Sequence, residues 1–162
     1  MTAARTLLVE RPGALALVED LGRPGLAHLG VAESGALDRG ALRLANRLVG
    51  NPDGAAALEL VGGGFRAVFP GDQWFAVTGA WGALRLDGRR IAAHTAVRAS
   101  DGAVLELGAP ERGIRYVVAV RGGIDVPAVL GARSRDTLAG LGPEPVTAGA
   151  ILPIGAPPEA SV

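Results

Sequence analysis

The 162-residue chain contains no cysteine and no lysine, so all sixteen of its basic residues are arginine. The lack of cysteine excludes disulfides, thiolate nucleophiles and cysteine metal sites. The lack of lysine excludes a Schiff-base lysine and a P-loop lysine within this chain. Arginine is therefore the only fixed cation available to bind a carboxylate or a phosphate, a role that its forked donors suit.

The chain also has no formal net charge, no long apolar run and only two histidines. The formal net charge is zero, which argues against a nucleic-acid or anionic-membrane partner, because both need a basic face. No run approaches the about 18 apolar residues of a membrane span, so we expect no membrane partner and a cytoplasmic location. The two histidines, His28 and His94, lack metal-ligand spacing, and no metal site is predicted.

What remains is the composition of a packed domain. Hydrophobic residues make up 49% of the chain and aromatic residues only 4%, so aliphatic side chains must fill the interior. The length suits one domain, which we predict over residues 1–155. The tail 156–162, which contains Pro157-Pro158, is predicted to be disordered.

Short apolar segments separated by Gly, Pro and Asp predict a mainly β protein, with either a barrel or a sandwich architecture. Asp87-Gly88 is typical of a type I′ hairpin turn. Tyr116–Val120 is continuously apolar, which favours a central strand. The predicted strands are Thr6–Glu10, Ala14–Glu19, Ala57–Val61, Arg66–Phe69, Trp74–Thr78, Leu84–Leu86, Arg89–Ile91, Ala96–Arg98, Val104–Leu107, Gly113–Val120 and Ile151–Ile154.

One segment has helical rather than strand periodicity. Its apolar positions recur at helical spacing and predict one amphipathic helix, about residues 37–49. Ser34 or Asp38 can cap its start, and Gly50 stands where a left-handed C′ residue belongs. The apolar positions are Leu37, Ala41, Leu44, Ala45 and Leu48.

Two charged residues near the helix start have alternative interpretations. Arg23, in Gly22-Arg-Pro-Gly25, either clamps an anion or pairs with Asp20 or Asp38 to hold a loop, and spacing alone favours the loop. Asp38 is either a general base or the helix cap, and its position favours the cap.

The other candidates are equally open. Ser34 lacks the Gly-x-Ser-x-Gly context of a nucleophile. Asn46 either binds substrate or makes a structural hydrogen bond, and Glu59 points either into a site opposite Asn46 or into solvent. Arg121 and Arg133 either form a second cationic cluster or are surface charges.

The order of the short motifs resembles one family. Each motif is weak alone, but together they follow one another in register from residue 20 to residue 134. They resemble the family of the 5-oxoprolinase C subunit, also called allophanate hydrolase subunit 2 or KipA-like, which includes the carboxyltransferase part of urea carboxylase. The motifs are Asp20–Gly25, Ser34–Asp38, Ala45–Asn51, Ala57–Glu59, Thr78–Ala80, Arg115-Tyr116, Val120–Pro127 and Leu130–Ser134.

The resemblance implies a cyclophilin-like β-barrel and a place in a multisubunit enzyme. Such an enzyme, a 5-oxoprolinase, hydrolyses 5-oxoproline to L-glutamate with ATP through its A, B and C subunits, so the expected partners are the A subunit and a KipI-like B subunit. A biotin-dependent carboxyltransferase of a urea carboxylase-like system is the first alternative. A non-catalytic regulatory module that binds a kinase inhibitor is the second.

The resemblance also suggests roles for the candidate residues in a polar pocket. Arg23 would anchor a carboxylate or phosphate, Asp38 and Glu59 would position a proton or water, and Asn46 would donate to a carbonyl. Ser34 would contact substrate, with Arg121 and Arg133 further out. Family members run to about twice this length, so these residues are expected to form one wall of a site.

Overall fold

The structure, a computed structural model, describes residues 5–159 and 161–162. One α-helix, α1 (Arg39–Leu48), and a short 3₁₀ turn at Ala27–Leu29 interrupt an otherwise β chain. The strands are β1 (Thr6–Pro12), β2 (Leu15–Glu19), β3 (Ala57–Val61), β4 (Phe65–Val68), β5 (Gln73–Leu86), β6 (Arg89–Arg90), β7 (Ala96–Ala99), β8 (Val104–Val120) and β9 (Ala150–Pro153). The mainly β class with one helix, predicted from the sequence, is confirmed.

All nine strands belong to one sheet that curls into a half-barrel. Along it the order is β2-β3-β8-β4-β1-β9, and β5 pairs with β6, β7 and β8. The long strand β8 makes this possible, because its first part pairs with β4 and its last part with β3, while β5 lies alongside both.

The prediction divided β5 and β8 into two strands each, and this was wrong. In the structure Trp74–Thr78 and Leu84–Leu86 belong to one strand, and so do Val104–Leu107 and Gly113–Val120. The register between β5 and β8 shifts three times between Gly79 and Leu84. These bulges bend the strands without ending them, so the glycines that suggested breaks mark the curl of the sheet instead.

The two faces of the sheet bury different groups. On β8, Tyr116, Val118 and Val120 enter the main core inside the curl, whereas Val117 and Ala119 face α1. The predicted central strand therefore reads as continuously apolar because both of its faces are buried, which confirms that prediction. Small residues under the helix allow it to lie close to the sheet.

The helix exists as predicted but begins later. Asp38 has φ −100° and ψ 81°, outside the helical region, and its side chain accepts the Ala41 N–H at 2.8 Å, so it is the N-cap. Leu37 therefore lies before the helix and is 74% exposed, and Leu44 is 41% exposed. The predicted amphipathic pattern placed both leucines on the buried face of the helix, which was wrong, since that face consists of Ala41, Leu42, Ala45 and Asn46.

A long loop covers the outer edge of β2. The Ala16 and Val18 carbonyls accept the N–H groups of Val146 and Arg135, at 2.9 and 3.0 Å. The loop that contains Arg135 is thereby held beside the end of β2. Among the described residues no helix has the length and apolar character needed to cross a membrane.

Candidate active-site cleft

Strand register brings three charged side chains together on the helix-facing side of the sheet. Leu17 of β2 lies opposite Glu59 of β3, and Glu59 lies opposite Val117 of β8. Since side chains two residues apart share a face, Glu19 and Arg115 become diagonal neighbours of Glu59. Three strands distant in sequence thus supply one charged row beside the start of α1.

Glu59 is the centre of this row and is fully engaged. Its Oε1 accepts the backbone N–H of Leu37 at 2.9 Å and that of Asp38 at 3.4 Å, and its Oε2 accepts from Arg115 Nη1 at 2.8 Å. The side chain is only 3% exposed. The N–H groups of Leu37 and Asp38 and a guanidinium compensate its charge, so both carboxylate oxygens have partners.

Two surface cavities adjoin at Leu37 and Arg115 and form one cleft. The polar half, about 260 Å³, is lined chiefly by Glu19, Ser34, Glu59, Arg115, Arg135 and Asp136. The apolar half, about 480 Å³, is lined chiefly by Leu37, Asp38, Ala80, Trp81, Arg112 and Ile114. A ligand with a polar end and an apolar body fits this division.

The loops that carry the polar half are held rigidly. Asp20 Oδ1 accepts the Gly22 N–H at 2.8 Å, and its Oδ2 accepts the Arg133 N–H at 2.6 Å. Ala36 N–H donates to the Asp20 carbonyl at 2.9 Å, and Arg23 N–H donates to the Glu33 carbonyl at 2.7 Å. Both walls of the polar half are thus held to the end of β2.

Unsatisfied polar atoms concentrate here. Six buried side-chain N or O atoms lack a hydrogen-bond partner among the described residues. Three of them belong to residues that line the polar half, and two belong to Arg23 and Ser134, which are hydrogen-bonded to each other. Such atoms are costly unless something binds them, so their clustering marks a place built to receive a ligand. The five belong to Glu19, Arg23, Ser134, Arg135 and Asp136.

Comparison with known proteins identifies the fold's relatives. The family model described as "Carboxyltransferase domain, subdomain A and B" matches residues 29–162. The chain belongs to this carboxyltransferase domain family. It is 43% identical to the 5-oxoprolinase C subunit of Escherichia coli over 84% of the chain and 44% of that protein. The resemblance inferred from the motifs is thereby confirmed.

Two further relatives belong to urea-degrading enzymes. Urea amidolyase of Saccharomyces cerevisiae is 39% identical over 81% of the chain and 7% of that protein. The crystal structure of the Kluyveromyces lactis urea amidolyase superposes with a TM-score of 0.89 and 33% identity, over 95% of this chain and 10% of that one. The chain therefore spans less than half the length of each of these relatives.

Three of the residues predicted for the site of this carboxyltransferase domain line the cleft. Glu59 and Ser34 lie in the polar half, where Ser34 Oγ donates to the Arg135 carbonyl at 3.0 Å, and Asp38 borders the apolar half. Asp38 also caps α1, as its position predicted, and its role as a general base stays a prediction.

Arg23 is not among the residues that line the two halves of the cleft. Its Nη2 donates to the Ser134 carbonyl at 2.6 Å and its Nε to the Val129 carbonyl at 3.3 Å. It is 2% exposed, and its Nη1 has no partner among the described residues. It thus joins two loops through carbonyls rather than through Asp20 or Asp38, and its role as an anion anchor stays a prediction.

Asn46, Arg121 and Arg133 lie elsewhere. The Asn46 amide donates to the Ala55 carbonyl at 2.8 Å near the C-terminal end of α1, whereas Glu59 meets the N-terminal end. Arg121 donates to the carbonyls of Val49 and Pro158. The Arg133 side chain contacts Asp125 at 3.0 Å. The structure does not bring these three side chains into the cleft with Glu59, and their substrate-binding roles stay predictions.

Sequence reasoning missed Glu19, Arg115, Arg135 and Asp136. Arg115 lay within a recognised motif, Arg115-Tyr116, but no role was assigned to it. Glu19 ends an otherwise apolar strand whose last four residues are all buried, and a charge in that position was the available signal. No group of three His, Asp or Glu side chains among the described residues is arranged to hold a metal ion.

Proposed function

We propose that this chain is part of the C subunit of an ATP-dependent 5-oxoprolinase, which hydrolyses 5-oxoproline to L-glutamate together with the A and B subunits. The observation that carries the proposal is the cleft itself, in which the Glu59–Arg115 pair and Glu19 adjoin an apolar surface. A lactam has a polar amide and an apolar ring edge, so both halves of the cleft have a counterpart in it. The identity to the 5-oxoprolinase C subunit of Escherichia coli supports the choice.

Among the described residues, the start of α1 does not fit the phosphates of ATP. The N-terminus of α1, where a phosphate would bind, already holds the carboxylates of Glu59 and Asp38. These two carboxylates occupy the place where a phosphate would lie. In the proposed complex ATP therefore binds another subunit, and this chain contributes the walls of a substrate cleft.

A biotin-dependent carboxyltransferase of a urea carboxylase-like or allophanate hydrolase system is the alternative. The matches to urea amidolyases favour it. The chain has no lysine to carry biotin, so in this alternative biotin arrives on another domain. The same cleft would then hold an amide acceptor beside Arg115.

A regulatory binding module is the second alternative, favoured by one observation. Three large apolar side chains at the apolar half are exposed: Leu37 by 74%, Ile114 by 69% and Trp81 by 57%. Contiguous exposed apolar residues are typical of a surface that another chain covers. In this alternative the partner is a KipI-like B subunit, and no catalysis occurs.

Reconstitution of the complex distinguishes the proposed function from its two alternatives. We would co-express the chain with the A and B subunits from the same source and measure ADP and glutamate released on adding 5-oxoproline. Dependence of both products on 5-oxoproline and on this chain supports the proposal. Urea-dependent carboxylation with a biotin carrier would replace it with the first alternative. A stable complex without activity towards either substrate would replace it with the second.

A further inference from the structure

The two glutamates of the polar half are not equivalent. Glu59 has a partner for each of its carboxylate oxygens. Glu19, diagonally across the β2–β3 pair, is equally buried at 3% exposure, but its Oε2 has no partner among the described residues. One carboxyl group therefore has a partner at both oxygens, and the other has an oxygen without one.

Each nearby cation donates to a group other than Glu19, although Arg23 Nη1 and Arg135 Nε have no partner among the described residues. Arg115 Nη1 donates to Glu59 Oε2, and the Arg23 Nη2 and Nε donate to backbone carbonyls. Arg135 also lines the polar half, but its Nη1 lies 3.0 Å from Glu144 Oε1. No cation among the described residues forms an ion pair with Glu19.

The nearby anions add to the effect of burial. Asp20 follows Glu19 in the chain, Glu59 lies diagonal to it, and Asp136 lines the same cavity. Burial, reinforced by Glu59 and Asp20 and opposed by Arg115 and Arg23, raises the pKa of Glu19 to about 8. Near neutral pH Glu19 is then a neutral acid, and the residue lines the polar half of the cleft.

We propose that Glu19 is the proton donor of the cleft and protonates the nitrogen of an amide or lactam ligand. The choice of ligand rests on the proposed function. As the bond between carbonyl carbon and nitrogen breaks, the Glu19 O–H bond breaks and an N–H bond forms, with the O–H electron pair staying on the carboxylate. The water that supplies the new carboxyl oxygen releases a proton, which returns Glu19 to its neutral form.

The first test reads protonation directly and needs no activity. Infrared difference spectra of the purified chain, wild type minus Glu19→Gln, should show the carbonyl band of a protonated carboxylic acid at pH 6–7. The band should disappear as the pH rises through about 8. Absence of this band at pH 6 would overturn the inference, whatever the activity of the complex.

The second test uses the reconstituted complex. Glu19→Gln should lower kcat about 100-fold with KM changed less than about threefold, because glutamine donates a hydrogen bond but no proton. Wild-type kcat should fall about tenfold per pH unit above pH 8. The variant should not show this decrease. The exposed Glu159→Gln should change neither constant. A change in KM with kcat intact would overturn the role of Glu19 as donor.

The two tests also separate this inference from the proposed function. A wild-type complex inactive towards 5-oxoproline overturns the proposed function. If the infrared band is nevertheless present, it supports the neutral Glu19 that the inference requires. Activity with 5-oxoproline but no band overturns the inference and leaves the proposed function standing.

Discussion

Glu59 Oε2 and Arg115 Nη1 lie 2.8 Å apart, and the same carboxylate accepts the Leu37 N–H at 2.9 Å through its other oxygen. One side chain thus ties β3 to β8 and both strands to the start of α1. The glutamate is 3% exposed, whereas the Arg115 side chain is 28% exposed. The pair therefore has one buried member and one that water reaches.

Replacing Glu59 by alanine should destabilise the chain by about 2–4 kcal/mol, because it removes one partner of a largely buried pair and leaves two N–H groups without an acceptor. Urea denaturation measures the loss. The matched control is Asp72→Asn, which breaks an exposed arginine–carboxylate pair, with Arg98, and should cost much less. Equal losses for the two variants would show that burial of Glu59 contributes little.

Stability should fall with rising pH because of Glu19. Its pKa is about 8 in the folded chain and near 4.5 when exposed, so the folded state holds a proton that the unfolded state has released between these pH values. The free energy of unfolding therefore decreases as pH rises from 4.5 to 8. The cost at pH 7 is on the order of 1–3 kcal/mol, because solvent screening reduces the full value.

Glu19→Gln removes this titration. Thermal unfolding of the variant should be nearly independent of pH between 5 and 8 as far as this site is concerned, and its Tm should exceed that of the wild type at pH 8 more than at pH 5. Glu159→Gln should follow the wild type at every pH. If the Tm difference between the wild type and Glu19→Gln is the same at pH 5 and pH 8, this contradicts a raised pKa of Glu19.

The helix and most strands could be predicted because their signals are local. Asp38 and Gly50 mark the ends of α1 in the sequence, and Gly50 has φ +71° as expected of a C′ residue. The merging of strands across Gly79 and Gly113 could not be foreseen, since it depends on pairing between β5 and β8. A glycine alone does not tell a bulge from a turn.

The site was harder to predict than the fold for a related reason. Glu59 was a candidate because it alternates with apolar residues, but its neighbours Glu19 and Arg115 join it only through the registers of β2–β3 and β3–β8. One interpretation pointed Glu59 into a site opposite Asn46, but the two lie near different ends of the same helix. Sequence spacing does not contain these distances, which the sheet topology sets.

Asn46 should matter for stability. Its amide donates to the carbonyls of Asp53 and Ala55, and its oxygen accepts from Asn51 Nδ2 at 3.1 Å. Asn46 itself is 0% exposed. Asn46→Ala should cost about 2–3 kcal/mol by leaving these groups unpaired. The exposed Arg43→Ala on the same helix is the control. In the reconstituted complex, activity per folded molecule should stay within about twofold if Asn46 acts only structurally, and a loss of kcat would support the predicted substrate-binding role.

Alanine substitutions at two glycines of the loop that contains Arg23 distinguish the cost of backbone strain from the cost of steric crowding. Gly22 and Gly25 both have φ +85°, but a Cβ on Gly22 would lie 2.4 Å from the Glu33 carbonyl oxygen, whereas one on Gly25 would meet open space. Gly25→Ala should cost about 1 kcal/mol, the penalty of a left-handed alanine. Gly22→Ala should cost about 3 kcal/mol or more, because it also forces Asp20–Arg23 away from Glu33–Ala36.

The same pair of variants tests whether the loop shapes the cleft. In Gly22→Ala the hydrogen bond from Arg23 N–H to the Glu33 carbonyl must lengthen, and Ser34 and Gly35, which line the polar half, must move with it. Hydrogen exchange should therefore rise at Arg23 and Ala36 in this variant and not in Gly25→Ala. If both variants show equal exchange and equal stability, the close approach of the two segments does not hold this wall of the cleft in place.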